Sequence, residues 1–169
     1  MSFTPEGYKV PKTPSQFMSF ELGDNKVRVL SDAVIGWEGW KGGKPFRHEG
    51  DVCKITVDQV DTDPKYGKPK INHFWAFIVW NYADQKIQVL EITQKTIMNK
   101  IHNYDQDVDY GHPKGYDLTI IKSKNGDKTE YDVIAKPPKP VDVEILKKFE
   151  ETDVKLDALF KGEYPVDEE

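Results

Sequence analysis

The stretch KINHFWAFIVWNY, residues 70–82, contains five aromatic residues. Side chains of a β-strand point alternately to its two faces. One face of a strand here carries Ile71, His73, Trp75, Phe77 and Val79, and the other carries Phe74, Ala76, Ile78, Trp80 and Tyr82. Both faces are apolar, although a small domain has one core to fill. The pattern therefore predicts that one face packs in the core and the other contacts something else.

Shorter alternating patterns predict four more strands. They lie at about 26–37, 86–92, 116–123 and 128–135. Residues 83–85 make a tight connection into the second of these, and the Asn125-Gly126 pair predicts a hairpin between the last two. Residues 41–69 contain the turn-forming sequences KGGKP and DTDPKYGKP, and they are predicted to form a long loop with one short strand in DVCKITV, residues 51–57.

Two segments have helical periodicity. Thr93 is a plausible N-cap for the stretch 94–104, in which Ile97 and Ile101 are spaced i, i+4. Near-helical spacing returns after the proline-rich residues 136–140 and predicts a terminal amphipathic helix, broken near Thr152 and Asp153.

The predicted order is strand, long loop, strand, strand, helix, strand, strand and a final helix. Five strands with a helix between the third and fourth is the order of the OB-fold, a small Greek-key barrel. We therefore predict a mainly β protein with an OB-fold five-stranded barrel and a C-terminal helix. The predicted organisation is an extended arm at 1–24, the barrel domain at 25–140 and an acidic helix and tail at 141–169.

Composition predicts the cellular compartment of the protein and shows that its charge is unevenly distributed along the chain. The chain has one cysteine, Cys53, no apolar signal core and no run long enough to span a membrane, which predicts a soluble protein of the cytoplasm. The net charge of −5 is unevenly distributed. Residues 142–169 carry ten acidic side chains against four lysines, so the rest of the chain is close to neutral. An acidic end of this kind is typical of a solvated helix, or of a partner-binding or DNA-mimicking tail.

The predicted fold offers a function for the second aromatic face. Strands 2 and 3 of an OB-fold, with the loops that flank them, bind oligonucleotides. Bases stack on aromatic rings, and lysine or arginine side chains contact phosphates. The candidate DNA-binding residues are Trp37, Trp40, Lys41, Lys44, Arg47, Lys65, Tyr66, Lys68, Lys70, His73, Trp75 and Phe77.

Two alternatives remain open for these residues. Each tryptophan could instead belong to the core, and the lysines could be solvated surface residues. We assign Trp75 and Phe77 to the binding face, and Trp80 and Tyr82 to the barrel interior or its rim. A one-residue register shift would reverse this assignment.

Catalysis has little support in the sequence. WKGGKP lacks the spacing and hydroxyl of a phosphate-binding loop, and no Gly-x-Ser-x-Gly motif occurs. Asp58, Asp61 and Asp63 could hold a cation for a nuclease, but their spacing does not match a calcium loop. The histidines and Cys53 lack zinc-ligand spacing. We predict no enzyme activity, no metal and no cofactor.

Three stretches carry a resemblance to a known family: DNKVRVLSD, HFWAFIVWNYADQKIQVLEITQKTIMNKI and HPKGYDLTIIKSKNGDKTEYDVIAKPPKP. Together they resemble the single-stranded DNA-binding proteins of tailed bacteriophages, and are similar to the core of the T-even phage helix-destabilising protein, over roughly residues 25–140. The resemblance implies an OB-fold that coats single strands during phage replication and recombination in the cytoplasm of the bacterial host. It places Trp75 on the DNA-facing strand and Lys70 on its approach.

The resemblance also implies that an acidic C-terminus contacts replication or recombination proteins, here through Asp167, Glu168 and Glu169, and competes for the DNA groove. On this basis, removal of residues from about 142 onward is expected to tighten DNA binding. The zinc ligands and the basic N-terminal motif of the T-even protein are missing here.

The leading hypothesis is sequence-tolerant binding of single-stranded DNA. The alternative is a protein-interaction or self-assembly module that uses the exposed aromatic face, with homo-oligomerisation left open.

Overall fold

The computed structural model describes residues 2–8, 16–162 and 165. Seven strands and two α-helices occur in this part of the chain. The strands are β1 (Gly23–Val29), β2 (Val34–Lys41), β3 (Lys44–Glu49), β4 (Ile71–Asn81), β5 (Lys86–Ile92), β6 (Asp117–Asn125) and β7 (Lys128–Ala135). The helices are α1 (Lys95–Gln106) and α2 (Val143–Glu151), with a short 3₁₀ helix at Leu156–Lys161.

All strand pairs named here are antiparallel, and β4 is at the centre of the sheet. The strand order is β3-β2-β4-β1-β6-β7, and β5 pairs with the other edge of β4. β1 and β2 follow one another along the same edge of β4: Val29 is opposite Val79, and Val34 is opposite Ala76. The result is a mainly β antiparallel protein with two helices.

The single strand predicted at 26–37 is wrong, because the chain bends between Val29 and Val34. Ser31 lies in this bend and its Oγ accepts a hydrogen bond of 2.9 Å from the backbone N–H of Ile78. The bend lets β1 pair with both β4 and β6, while β2 continues along β4 and pairs with β3. Gly42 and Gly43 supply the positive φ values, 60° and 77°, of the β2–β3 turn.

Local predictions outside this region are mostly confirmed. β4, β5, β6 and β7 lie within two residues of their predicted limits, and the last two enclose a two-residue turn with Gly126 at φ 63°. The terminal helix is interrupted at Thr152, as predicted. Two details are wrong: residues 51–57 form no strand, and α1 is capped by Gln94 rather than Thr93, without a side-chain bond.

The central hydrophobic cluster fills the space between the sheet and α1. It includes Met18, Val27, Val29, Phe77, Val79, Leu90, Ile92, Ile97, Ile101, Leu118, Ile120 and Val133. Residues 16–18 of the predicted extended arm run parallel to β5, and Phe17 pairs with Val89. This part of the arm therefore belongs to the packed structure.

A buried ion pair fixes the chain that leads to the C-terminal segment. Arg28 and Asp117 are each 1% exposed, with their charged groups 3.5 Å apart. Arg28 also donates to the carbonyl oxygens of Lys114 and Lys139. Lys139 belongs to the proline-rich stretch after β7, so this pair connects β1 to the start of the C-terminal segment, which we define as residues 141–162.

Candidate nucleic-acid interface

The C-terminal segment covers one face of β4. Trp80 is 6% exposed and packs with Leu30, Ile78 and Ile145. Phe74 is fully buried beside Leu159 and Phe160. Trp80 is therefore buried, but its assignment to the barrel interior or its rim is wrong, because α2 covers it on the face of β4 opposite the central cluster. The Tyr82 hydroxyl, at the end of this face, donates to Asp117 at 2.7 Å.

The other face of β4 passes from the core to the surface. Phe77 and Val79 lie in the central cluster, and Phe77 is 3% exposed. Trp75 packs against the edge of that cluster and is half-buried, as is His73. The assignment of Phe77 to an open binding face is therefore wrong, because its side chain is enclosed by β5, β6 and α1. The assignment of Trp75 to the binding face stays a prediction.

Trp75 begins a strip of partly exposed rings that crosses three strands. Residues that pair directly across antiparallel strands share a face. Trp75 pairs with Ile35, which is 37% exposed, and His73 pairs with Trp37, which in turn pairs with His48. The Trp37 and His73 rings are 4.9 Å apart between centroids. We call these five residues, the four rings together with Ile35, the aromatic strip.

The ring of Trp37 is held in place by its polar edge. Its indole Nε1 donates to the backbone oxygen of Asp51 at 3.0 Å. Farther along the same face, Gly39 leaves room for neighbours: a Cβ there would lie 2.6 Å from Val60 and 2.7 Å from the Phe46 ring. The loop after β3 is therefore packed onto the outer end of this face, and the aromatic strip is the part of it left accessible.

Beyond Gly39, exposed lysines lie at the tip of the β2–β3 hairpin and in the loop at residues 65–70. Lys41 and Lys44 are exposed and pair with each other across the turn. The loop that carries Lys65, Lys68 and Lys70 lies against the hairpin, since the N–H of Trp40 donates to the oxygen of Lys70 at 3.2 Å. Tyr66 is 66% exposed, and the Lys65 ammonium is 5.2 Å from its ring centre. The structure thus brings together Lys41, Lys44 and this loop.

Trp40 lies outside the strip. Trp40 is three residues from Trp37, and because this number is odd the two side chains point to opposite faces of β2. There it borders a shallow groove with Phe17, Arg47 and Glu91. Trp37 and Trp40, predicted as one group, therefore cannot stack on the same run of bases.

The guanidinium of Arg47 contacts two carboxyl groups. Its Nη2 lies 2.9 Å from Glu91, and its Nε lies 3.5 Å from Glu38. Because the guanidinium is mostly buried between these groups, it is not free to contact a phosphate, which corrects the prediction for Arg47. Burial, and then the neighbouring Glu91, raise the pKa of Glu38 to about 8. The shorter contact of Arg47 with Glu91 fits Glu38 as the protonated member of the pair.

Replacement of Glu38 with glutamine is expected to remove a pH dependence of stability. The unfolded carboxyl loses its proton near pH 4.5, whereas the folded one keeps it to about pH 8. Folding of the wild type therefore weakens as the pH rises between these values, by at least about 1 kcal/mol, and then levels off. Thermal unfolding from pH 5 to 9 measures this. Glu49→Gln, at an exposed position of β3, is the control. Parallel curves for Glu38→Gln and the wild type would contradict the expectation.

The three aspartates considered for a metal serve other roles or lie apart. Asp61 accepts a hydrogen bond from the N–H of Gly42 at 2.8 Å, and Asp63 accepts one from Lys65 at 2.7 Å. Across residues 2–8, 16–162 and 165, no cluster of three histidine, cysteine or acidic side chains could hold a metal ion. In the same residues no helix has the length and apolarity needed to cross a membrane. Asp167, Glu168 and Glu169 lie outside the described residues.

Two members of the strip were missed by sequence reasoning. Ile35 and His48 join it through their pairing with Trp75 and Trp37, and β3 itself was assigned to a loop. The sequence KPFRHE has no clean alternation that would have predicted a strand.

The described fold is a mainly β antiparallel sheet that exposes a short aromatic strip beside a group of lysines. No protein-family model matches the chain. The chain is a distant homologue, 26% identical over 141 residues, of the probable ssDNA-binding protein of Escherichia phage T5. The match covers 70% of this chain and 54% of that protein, so the chain spans about half the length of this relative.

Proposed function

We propose that the chain binds single-stranded DNA without sequence preference and protects it during phage DNA replication and recombination. The observation that carries the proposal is the aromatic strip, with Trp75, Trp37 and His73 beside exposed lysines. The name of the phage T5 relative supports the same ligand. Binding of this kind is non-enzymatic and belongs in the cytoplasm of the bacterial host.

The fold we propose for this function is an OB barrel. β1 and β2 together take the place of its first, bent strand, and are followed by β4, β5, α1, β6 and β7 in the OB order. The strip then lies at the start of the second barrel strand and on the hairpin before it. Contacts of replication or recombination proteins with the acidic end, through Asp167, Glu168 and Glu169, remain part of the proposal.

The residues divide into two roles. Trp75, Trp37 and His73 offer ring faces for base stacking, which is worth about 1–3 kcal/mol per base and tolerates any sequence. Lys41, Lys44, Lys65, Lys68 and Lys70 offer cations to phosphates, and Tyr66 adds an exposed ring near them. Because each phosphate contact releases counterions, affinity should fall as salt increases.

Titration of labelled oligo-dT, followed by fluorescence anisotropy at several salt concentrations, tests the proposal. We expect binding at low salt that weakens steadily with salt, together with quenching of intrinsic tryptophan fluorescence. Replacing Lys41 and Lys44 with glutamine should weaken binding and reduce the slope of log K against log salt by about 1.4, if both contact phosphates. Lys147 and Lys161, exposed lysines of the C-terminal segment, give a charge-matched control pair. Absence of binding at low salt would refute the proposal.

A further inference from the structure

The aromatic strip leads into a cavity of about 420 Å³. Trp75 and Ile35 belong to both, so the cavity begins where the strip ends. Its apolar wall continues inward with Phe77, Val29 and Ile101, the last of which comes from α1. This volume lies in the range of about 300–1,000 Å³ that is typical of small-molecule sites.

Polar side chains surround this apolar wall. The cavity is bordered by the carboxylates of Asp32 and Asp105 and by the imidazoles of His102 and His112. Asp32 is fixed in place, with His112 Nε2 at 2.7 Å and Lys114 Nζ at 3.3 Å from its Oδ1. In the described part of the chain, no lysine or arginine lines the cavity.

These features fit a heteroaromatic ring better than other parts of a nucleic acid. A phosphate would meet two carboxylates, and the ammonium of Lys114 beside them is already paired with Asp32. A base, in contrast, can place its ring against Trp75 and direct its amino and ring N–H groups to the carboxylates of Asp32 and Asp105 or to the imidazole of His102. The cavity is also reached directly from the surface on which the other bases are proposed to stack.

We propose that this cavity takes a single nucleobase, turned out of the strand that lies on the aromatic strip. The inference rests on the proposed function and adds to it a defined position for one base. The base stacks on Trp75, reaches Ile101 at the inner wall, and is held at the mouth by Asp32, which His112 and Lys114 position.

Methyl NMR of the full chain, titrated with oligo-dC, tests the proposal, since cytosine carries an amino group. Ile101 is 5% exposed and lines the cavity, so a base within it should shift the Ile101 methyl resonance through its ring current. A strand that lies only on the strip would shift Ile35 and leave Ile101 unchanged, which would overturn the proposal. A shift of Ile101 with protein concentration alone, without DNA, would also overturn it, because a second copy would then be the occupant.

A filled cavity gives the second test. Ala33 lines the cavity and is exposed, so Ala33→Phe should occupy the space without disturbing the core. We expect roughly a five- to hundredfold loss of oligo-dC affinity, the equivalent of one stacked base. Asn103→Phe, at an exposed position of α1 outside the cavity lining, is the control. If wild type and Ala33→Phe bind equally well and Ile101 does not shift, the cavity proposal fails while the proposed function stands. If the wild type does not bind, the function itself fails.

Discussion

Replacement of Trp75 with leucine is expected to weaken oligo-dT binding by roughly five- to a hundredfold, the equivalent of one lost base stack. Leucine keeps an apolar side chain against the edge of the central cluster, on which Trp75 packs. The variant should therefore stay folded, with its loss confined to binding. Trp75→Phe should recover most of the affinity, because phenylalanine restores a ring face. Anisotropy of a labelled oligonucleotide measures all three proteins without relying on tryptophan emission.

Trp40 provides the matched control for this experiment. It is also a partly buried tryptophan of the same sheet, but it lies on the opposite face of β2 from the strip. Trp40→Leu should therefore bind oligo-dT within about twofold of the wild type, because it removes no contact with a strand on the aromatic strip. An equal loss for Trp40→Leu and Trp75→Leu would show that the strip is not the binding surface.

The same variants separate DNA binding from the alternative function. An exposed apolar face also suits self-association or a protein partner. In that case Trp75→Leu would change the sedimentation of the protein without DNA and leave oligonucleotide affinity unchanged. Loss of affinity in a variant that sediments like the wild type supports single-stranded DNA as the ligand.

Removal of residues 142–169 is expected to destabilise the protein severely. The C-terminal segment covers Phe74, Ile78 and Trp80, which would otherwise face solvent. It also buries side chains of its own, among them Ile145 and Leu159. Each large apolar side chain that becomes exposed costs about 1.5–3 kcal/mol, whereas a whole domain has about 5–15 kcal/mol of stability. We expect an insoluble product or a fall in Tm of more than about 10 °C, measured by thermal unfolding.

Because the deletion removes both charge and packing, the truncated protein cannot test whether the acidic end competes with DNA. Charge can be removed alone by replacing Glu144, Glu150 and Glu151 of α2 with glutamine, because all three are exposed. Their triple variant should keep the wild-type Tm, and it should bind oligo-dT more tightly if the segment repels DNA. A truncated protein that unfolds at the wild-type Tm would contradict the packing role of the C-terminal segment.

Local sequence signals predicted the elements that depend on near neighbours. The β4–β5 and β6–β7 hairpins follow from alternation and turn residues, and the interruption at Thr152 lies where the helical pattern weakens. β3 escaped prediction because an edge strand with four of its six residues polar is stabilised by pairing with β2, which no local pattern records. The bend after Val29 escaped for a similar reason: it is held by bonds to Ile78, 47 residues away in the chain.

The candidate site was predicted in part. Trp75, Trp37 and His73 come together on one face, and the lysines of the hairpin and of the following loop meet near its tip. Arg47 could not be separated from these lysines by sequence, because its charge is taken up by Glu38 and Glu91 only once β2, β3 and β5 are assembled. Ile35 and His48 became visible only through the strand register.

The sequence by itself determined that β4 has two apolar faces and that both must be covered or used, because alternation along a strand is a local property. Tertiary structure alone decided what covers each face. The C-terminal segment is acidic and was predicted as a solvated or partner-binding end. Its apolar side packs on Phe74 and Trp80. The other face closes over Phe77 and opens at Trp75, because α1 and β6 enclose only part of the strand's length. Such a boundary between buried and exposed side chains depends on contacts between distant segments.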